Sequence, residues 1–174
     1  MTAPRHPLDD LLLYRMSRVV GVAGGMVIRL CEGRFGITRR EWRLIAVLAS
    51  LGELGSSQLA EHAQLDRART SKAVGSLVEK RLVSRVARAG DRRQVLLALT
   101  EAGQALFAEL FPLVASINAE LMGDLGSEDA ARLDESLHRL QAQAERMVQK
   151  AVLPKADRGR RGAGGISPPS SRSP

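Results

Sequence analysis

Residues 66–99 pass directly from a segment patterned for helix into two runs patterned for strand, and few folds accommodate that order in so short a span. The helical segment reads DRARTSKAVGSLVEKRL. At about 100° per residue, Val74, Leu77 and Val78 fall on one side with Arg81 between them at the fraying end. Arg69, Lys72 and Ser76 fall on the other, beside Ala68 and Glu79. Asp66 is placed to cap the first turn. Residues 83–89 and 93–99 are then rich in Val and Leu and flank AGDR, which predicts a turn and therefore a hairpin.

The rest of the chain reads as helices. A first, over about 8–31, spaces Leu8, Leu12, Val19, Val22 and Met26 along one side, while Gly21, Gly24 and Gly25 weaken it and predict a closely packed neighbour. TRRE, from Thr38 to Glu41, has the form of a capping box. The helix it opens buries Ile45, Leu48 and Leu51 and should stop near Gly52. A short helix capped by Ser56 or Ser57 turns Leu59, Ala60 and Ala63 inward. Thr100 caps a long helix with Leu106, Leu110, Leu113, Ile117 and Leu121 on one side and a kink expected at Pro112. After Gly126 and Ser127, Leu133, Leu137, Leu140, Ala144 and Met147 recur at alternating spacings of four and three, a narrow seam that wants a partner helix. The tail, 154–174, is rich in Gly, Pro, Ser and Arg and is expected to be a disordered basic segment.

Composition narrows the function. Apolar residues make up 44% but aromatics only 3%, a mixture that favours helices. The uncharged run Val19–Ile28 falls short of the roughly 20 residues needed to span a bilayer, so no membrane partner is expected. The opening MTAPRHPLDD carries two acids where a secretory signal is apolar, which points to the cytoplasm. Cys31 is the only cysteine, and His6, His62 and His138 have no neighbour at ligand spacing, so neither a disulfide nor a metal is expected. No nucleophile elbow or phosphate-binding glycine loop appears, and neither an enzyme nor a cofactor is implied. The net charge of +7 is unevenly spread. Residues 56–93 hold nine Lys/Arg against four Asp/Glu, whereas 100–153 hold four against nine, so an anionic partner should dock on the former.

A helix with a cationic, hydrogen-bonding strip, preceded by a short helix, is an arrangement that enters the major groove of duplex DNA. Arg69 and Lys72 can pair with guanine edges; Thr70, Ser71 and Ser76 can bond bases or phosphates; Ser56, Ser57, Gln58 and Arg67 stand near helix starts, where free amides meet phosphate. The tip Gly90, Asp91, Arg92 and Arg93, with Arg88 before it, would reach the adjacent minor groove or backbone. A sequence-indifferent architectural protein that binds nucleic acid with help from its tail is the competing reading.

The run LDRARTSKAVGSLVEKRLV, the DRR of the hairpin and LTEAG at the next helix resemble the MarR family of bacterial winged-helix transcription regulators, over roughly residues 8–150. The resemblance implies a mainly α fold with a small β-hairpin wing, the winged helix over about 38–99 and dimerisation helices over about 8–31 and 100–150. It also implies a homodimer on a palindromic operator, usually repressing, and released by a small aromatic carboxylate or phenolic effector. Asp91 and Arg93 match the family's D-x-R wing signature, the acid orienting a wing arginine and the arginine contacting DNA. Ser71 and Lys72 match its recognition-helix pair, whereas Arg69 stands where a small hydroxyl residue is common. Arg18 and Arg15, set among Leu11, Leu12, Val19 and Val22, are candidates to clamp the effector's carboxylate with Trp42 as a flat wall; pairing with a glutamate of a partner subunit is the alternative. Some relatives sense peroxide through a first-helix thiolate, which makes redox sensing at Cys31 a further alternative.

Overall fold

A computed structural model of the chain describes residues 7–88 and 91–152, without the side chains of residues 88 and 91–94. The expected tail disorder over 154–174 and the AGDR turn at Gly90 lie outside the described residues. Contacts divide the chain expected to act as one unit over 8–150 into two compact units, Met1–Asp124 and Leu125–Pro174.

The first unit opens with a 3-10 turn, Pro7–Asp10, and then runs α1 (Leu12–Arg34), α2 (Arg39–Leu51), β1 (Leu54–Gly55), α3 (Ser56–His62), α4 (Arg67–Glu79), β2 (Val83–Arg88), β3 (Asp91–Leu99) and α5 (Glu101–Met122). α1 starts later than the expected residue 8 because Leu11, in extended conformation, separates it from the 3-10 turn. It also runs past residue 31 to Arg34, where Gly36 at φ +62° turns the chain and Ile37 N–H reaches back to Cys31 O at 3.0 Å. Of the three glycines expected to meet a close neighbour, only Gly24 does: the Arg39 guanidinium lies on it, and an added Cβ would sit 3.1 Å from Nη1.

α2 carries the predicted capping box, Thr38 Oγ1 accepting from Glu41 N–H at 3.2 Å and Glu41 Oε2 accepting from Thr38 N–H at 2.6 Å. It ends at Gly52, φ +77°, as expected. The start of α3 departs from expectation. Neither Ser56 nor Ser57 is the cap, because the chain turns at Gly55, whose N–H donates to Gln58 Oε1 at 3.1 Å. Gly55 is held there by β1, which pairs Leu54 with Leu97 and Gly55 with Leu96. At two residues, β1 is too short to show an alternation in the sequence. The hairpin is present: β2 pairs antiparallel with β3 from Val83↔Leu99 to Arg88↔Asp91, giving a sheet of order β1-β3-β2.

One core joins these elements. Leu44, Ile45 and Leu48 from α2, Leu59 and Ala63 from around α3, Ala73, Val74 and Leu77 from α4, Val83 and Leu97 from the sheet and Leu110 from α5 are buried together. Each large member contributes roughly 1.5–3 kcal/mol through its burial. Thr100 caps α5 as predicted, its Oγ1 accepting from Gly103 N–H at 3.0 Å. α5 is a single helix that continues through Pro112. It is also long and apolar enough, at a mean hydropathy of 1.4, to cross a bilayer by length and composition, a property that Val19–Ile28 alone does not reveal.

The second unit contains α6 (Ser127–Lys150). Its seam is as the spacing predicts, with Leu133, Leu137, Leu140 and Met147 all exposed.

Candidate nucleic-acid interface

Asp66 both starts α4 and orients its first cation. Its Oδ1 accepts from Arg69 N–H at 2.8 Å, and its Oδ2 holds Arg69 Nε at 3.1 Å, on a guanidinium side chain that stays exposed. Arg67, Ala68, Arg69, Ser71 and Lys72 are exposed, while Thr70, Ala73, Val74 and Leu77 are buried. Thr70 is therefore a correction to the predicted contact set. It lies on the inward stripe that runs Thr70, Ala73, Val74 and Leu77, is 0% exposed and donates its hydroxyl to Asp66 O at 3.0 Å, so no duplex can reach it.

Ser76 is likewise only half-exposed, on the side of α4 near the Glu41 carboxylate. Glu41 itself, 2% exposed, was not among the predicted functional residues. Its carboxylate takes Lys80 Nζ at 3.0 and 2.9 Å, a pairing across 39 residues that no local pattern could announce. Burial pushes the Glu41 carboxyl up, but hydrogen bonds from Ser76, Thr38 N–H and Lys80 together with the Lys80 charge outweigh it and hold the group below its ordinary 4.5. A depressed carboxyl stabilises the fold fully above that ordinary value and loses its contribution as pH falls through the lowered one. The thermal midpoints of the wild type and Glu41→Gln should accordingly differ most near neutrality and converge as the pH falls below that ordinary value in a pH series.

Ser56, Ser57 and Gln58 are exposed on the first turn of α3, in the helix before α4. Arg43, which the strip on α4 does not predict, donates Nη1 to Ala63 O at 3.1 Å and so stands beside the α3–α4 connection. The wing strands bring Arg88 opposite Asp91 at the end of the hairpin and carry Arg92 and Arg93 in β3, while the side chains of these four lie outside the described residues.

The predicted effector residues are only partly brought together. Arg15 and Arg18 line one groove of about 450 Å³ with Val19, Val22, Ala23 and Leu121. The arginines are exposed rather than buried, and Arg18 Nη1 already holds Asp9 Oδ1 at 3.2 Å. Trp42 does not line this groove. It lies on the inward side of α2, 8% exposed, stacked on Phe107 with ring centroids 5.7 Å apart. The redox alternative meets a direct obstacle: Cys31 is 0% exposed, and burial first, then Glu32, push its thiol up against smaller opposing effects of a backbone hydrogen bond and Arg39. A protonated, inaccessible thiol is a poor nucleophile for peroxide. Among the described residues no three His, Cys, Asp or Glu side chains cluster for a metal.

Helices α2, α3 and α4 followed by an antiparallel hairpin, with β1 on its far edge, define a winged helix-turn-helix. Residues 35–94 match the family model described as MarR family. A segment of 74 residues is 35% identical to the HTH-type transcriptional regulator FarR of Neisseria gonorrhoeae, covering 42% of this chain and 51% of that protein, so the match spans about half the length of the curated relative. The crystal structure of a MarR family transcriptional regulator from Silicibacter pomeroyi superposes with a TM-score of 0.71 at 25% identity, covering 83% of this chain and 98% of that one. A Bordetella bronchiseptica structure, BpsR, whose DNA binding is regulated by 6-hydroxynicotinic acid, shares the fold at a TM-score of 0.69 and 19% identity, over 79% of this chain and 97% of that one. Over residues 35–94, about a third of its length, the chain thus matches the MarR family of transcriptional regulators, and its fold is that of MarR family structures.

Proposed function

We propose that this chain is a sequence-specific repressor that binds a palindromic operator as a homodimer in the cytoplasm and is released by a small aromatic carboxylate or phenolic effector. The observation that carries the DNA reading is the division of α4 into a buried apolar stripe and an exposed strip of Arg67, Arg69, Ser71 and Lys72 at its N-terminal half. Only one side of the helix is needed for the core, and the other offers donors to base edges. Arg69, oriented by Asp66, reads bases together with Ser71; Lys72, Arg67, Ser56, Ser57 and Gln58 hold phosphates; Arg93, with Asp91, Arg92 and Arg88, extends the contact through the wing.

Exposed apolar surface supports the dimer. α1 leaves Leu13 at 80%, Val19 at 52% and Val22 at 79% exposure, far more than a solitary helix face normally shows to water. α5 adds Phe111 and Leu121, and α6 its seam. Two-fold pairing would cover these faces and set two recognition helices about 34 Å apart.

The roles separate experimentally. Arg69→Ala should lower operator affinity by about tenfold while changing affinity for random duplex little, because a bidentate base contact carries roughly 1–3 kcal/mol of discrimination. Arg93→Ala should weaken both alike and reduce the salt slope by about one. Titration of each variant against operator and random DNA at several salt concentrations checks this; equal losses on both duplexes for Arg69→Ala would remove it from base reading.

The groove holding Arg15 and Arg18 supports the effector reading, with a guanidinium pair beside apolar Val19, Val22 and Leu121. A carboxylate entering it would compete with Asp9 for Arg18. Binding to dimers whose reading heads are wrongly spaced would shift the population away from the DNA-competent form. Hydroxybenzoates or 6-hydroxynicotinate added to a protein–operator complex should release the wild type, whereas Arg18→Ala should bind operator but need at least about tenfold more ligand. An unaltered response would exclude Arg18.

A further inference from the structure

We propose that Glu41 and Lys80 form a clamp that fixes the angle of α4, which makes them positioning residues for operator recognition. The inference rests on α4 being the reading helix. Among the described residues Glu41 is the one buried charged side chain, and its carboxylate accepts three hydrogen bonds from two donors. Thr38 N–H belongs to the start of its own helix; Lys80 is the residue that ends α4. Lys80 Nζ also donates to Gly36 O at 2.8 Å, in the connection between α1 and α2. The last turn of the reading helix is thus tied to the carboxylate and to the backbone that leads out of α1.

Directional bonds are needed here because the remaining attachment of α4 is non-directional. Ala73, Val74 and Leu77 are apolar and of small to moderate size, and such contacts fix depth better than they fix angle. Arg69 stands eleven residues before Lys80, or about 16 Å along the helix axis. A tilt of about 10° about the clamped end would therefore carry Arg69 by roughly 3 Å, enough to break a hydrogen bond to a base edge. Loss of the clamp should spare contacts to phosphate, which tolerate sliding, and spoil those to bases.

The test uses the full chain with Glu41→Gln and Lys80→Met together, so that neither charge is left buried alone. Operators are first recovered by selecting duplexes from genomic fragments with the wild type. The double variant should then lose at least about tenfold in the ratio of operator to random-duplex affinity, with the salt slope unchanged. An unchanged ratio overturns the clamp, and so does a slope lower by about one, which would make Lys80 a direct phosphate contact.

A readout independent of DNA decides the same point. Spin labels on Ala49→Cys and Ala68→Cys, at exposed sites of α2 and α4 in subunits diluted with unlabelled chain, should give one narrow distance distribution in the otherwise wild-type protein and a broadened or displaced one in the clamp variant. Identical distributions overturn the proposal even if no duplex is selected, in which case the DNA reading fails separately. Should the double variant not fold, Glu41→Gln alone carries the same two measurements, with a smaller loss of about threefold in the affinity ratio expected from the weakened bond to Lys80.

Discussion

Gly103→Ala is expected to destabilise the first unit by about 3 kcal/mol, the upper end for overpacking a filled site. A Cβ at this position would stand 2.1 Å from Leu82 O and 3.3 Å from Leu99 Cδ2, and the nearer atom is backbone. That backbone is itself fixed, since Leu82 O accepts Thr100 N–H at 3.1 Å while Thr100 Oγ1 donates to Arg81 O at 2.7 Å. The start of α5 and the entrance to β2 are therefore laced together, and neither can retreat without losing a cap or a ladder bond. Thermal denaturation should show a midpoint lower by roughly 6–12 °C. A midpoint within about 2 °C of wild type would mean that this junction yields more readily than its bonding indicates. The same geometry explains LTEAG: the threonine caps, and the glycine two residues after the glutamate lets the helix approach the chain before the wing.

The second large effect concerns the proposed dimer. Leu137→Asp with Leu140→Asp places two charges in the seam of α6, where both leucines are about 40% exposed in the single chain (39% and 43%). Solvent already reaches them, so the fold of each unit should survive, while burying two carboxylates against a second copy would cost several kcal/mol. Sedimentation should give a single subunit at concentrations where the wild type is dimeric. Operator affinity should fall by more than about 100-fold, because two half-sites would no longer be held by one particle. A variant that stays dimeric would shift the proposed contact to α1 and α5.

Much of this architecture was legible because its signals are local. Thr38 and Glu41, Asp66, and Thr100 each bond a backbone group within three residues, so capping residues announced three helix starts correctly. The hairpin followed from Val- and Leu-rich runs about a turn. The failures are non-local. Gly55 replaced Ser56 as the start of α3 because β1 recruits it to β3, forty-one residues later in the chain at Leu96. Thr70 has the chemistry of a DNA contact, but its place on the helix turned it into the core. Trp42 and Arg18 looked complementary in type, yet α2 points the indole at Phe107.

The sequence by itself determined the helices, the hairpin and where the cations gather, since periodicity, capping and charge are properties of neighbours along the chain. Only the tertiary structure decided which hydroxyls remain on the surface, that Cys31 is shut away and that Glu41 and Lys80 meet. Those outcomes depend on how helices cross and on which groups lose their water when they do, and both are fixed by contacts between residues far apart in sequence.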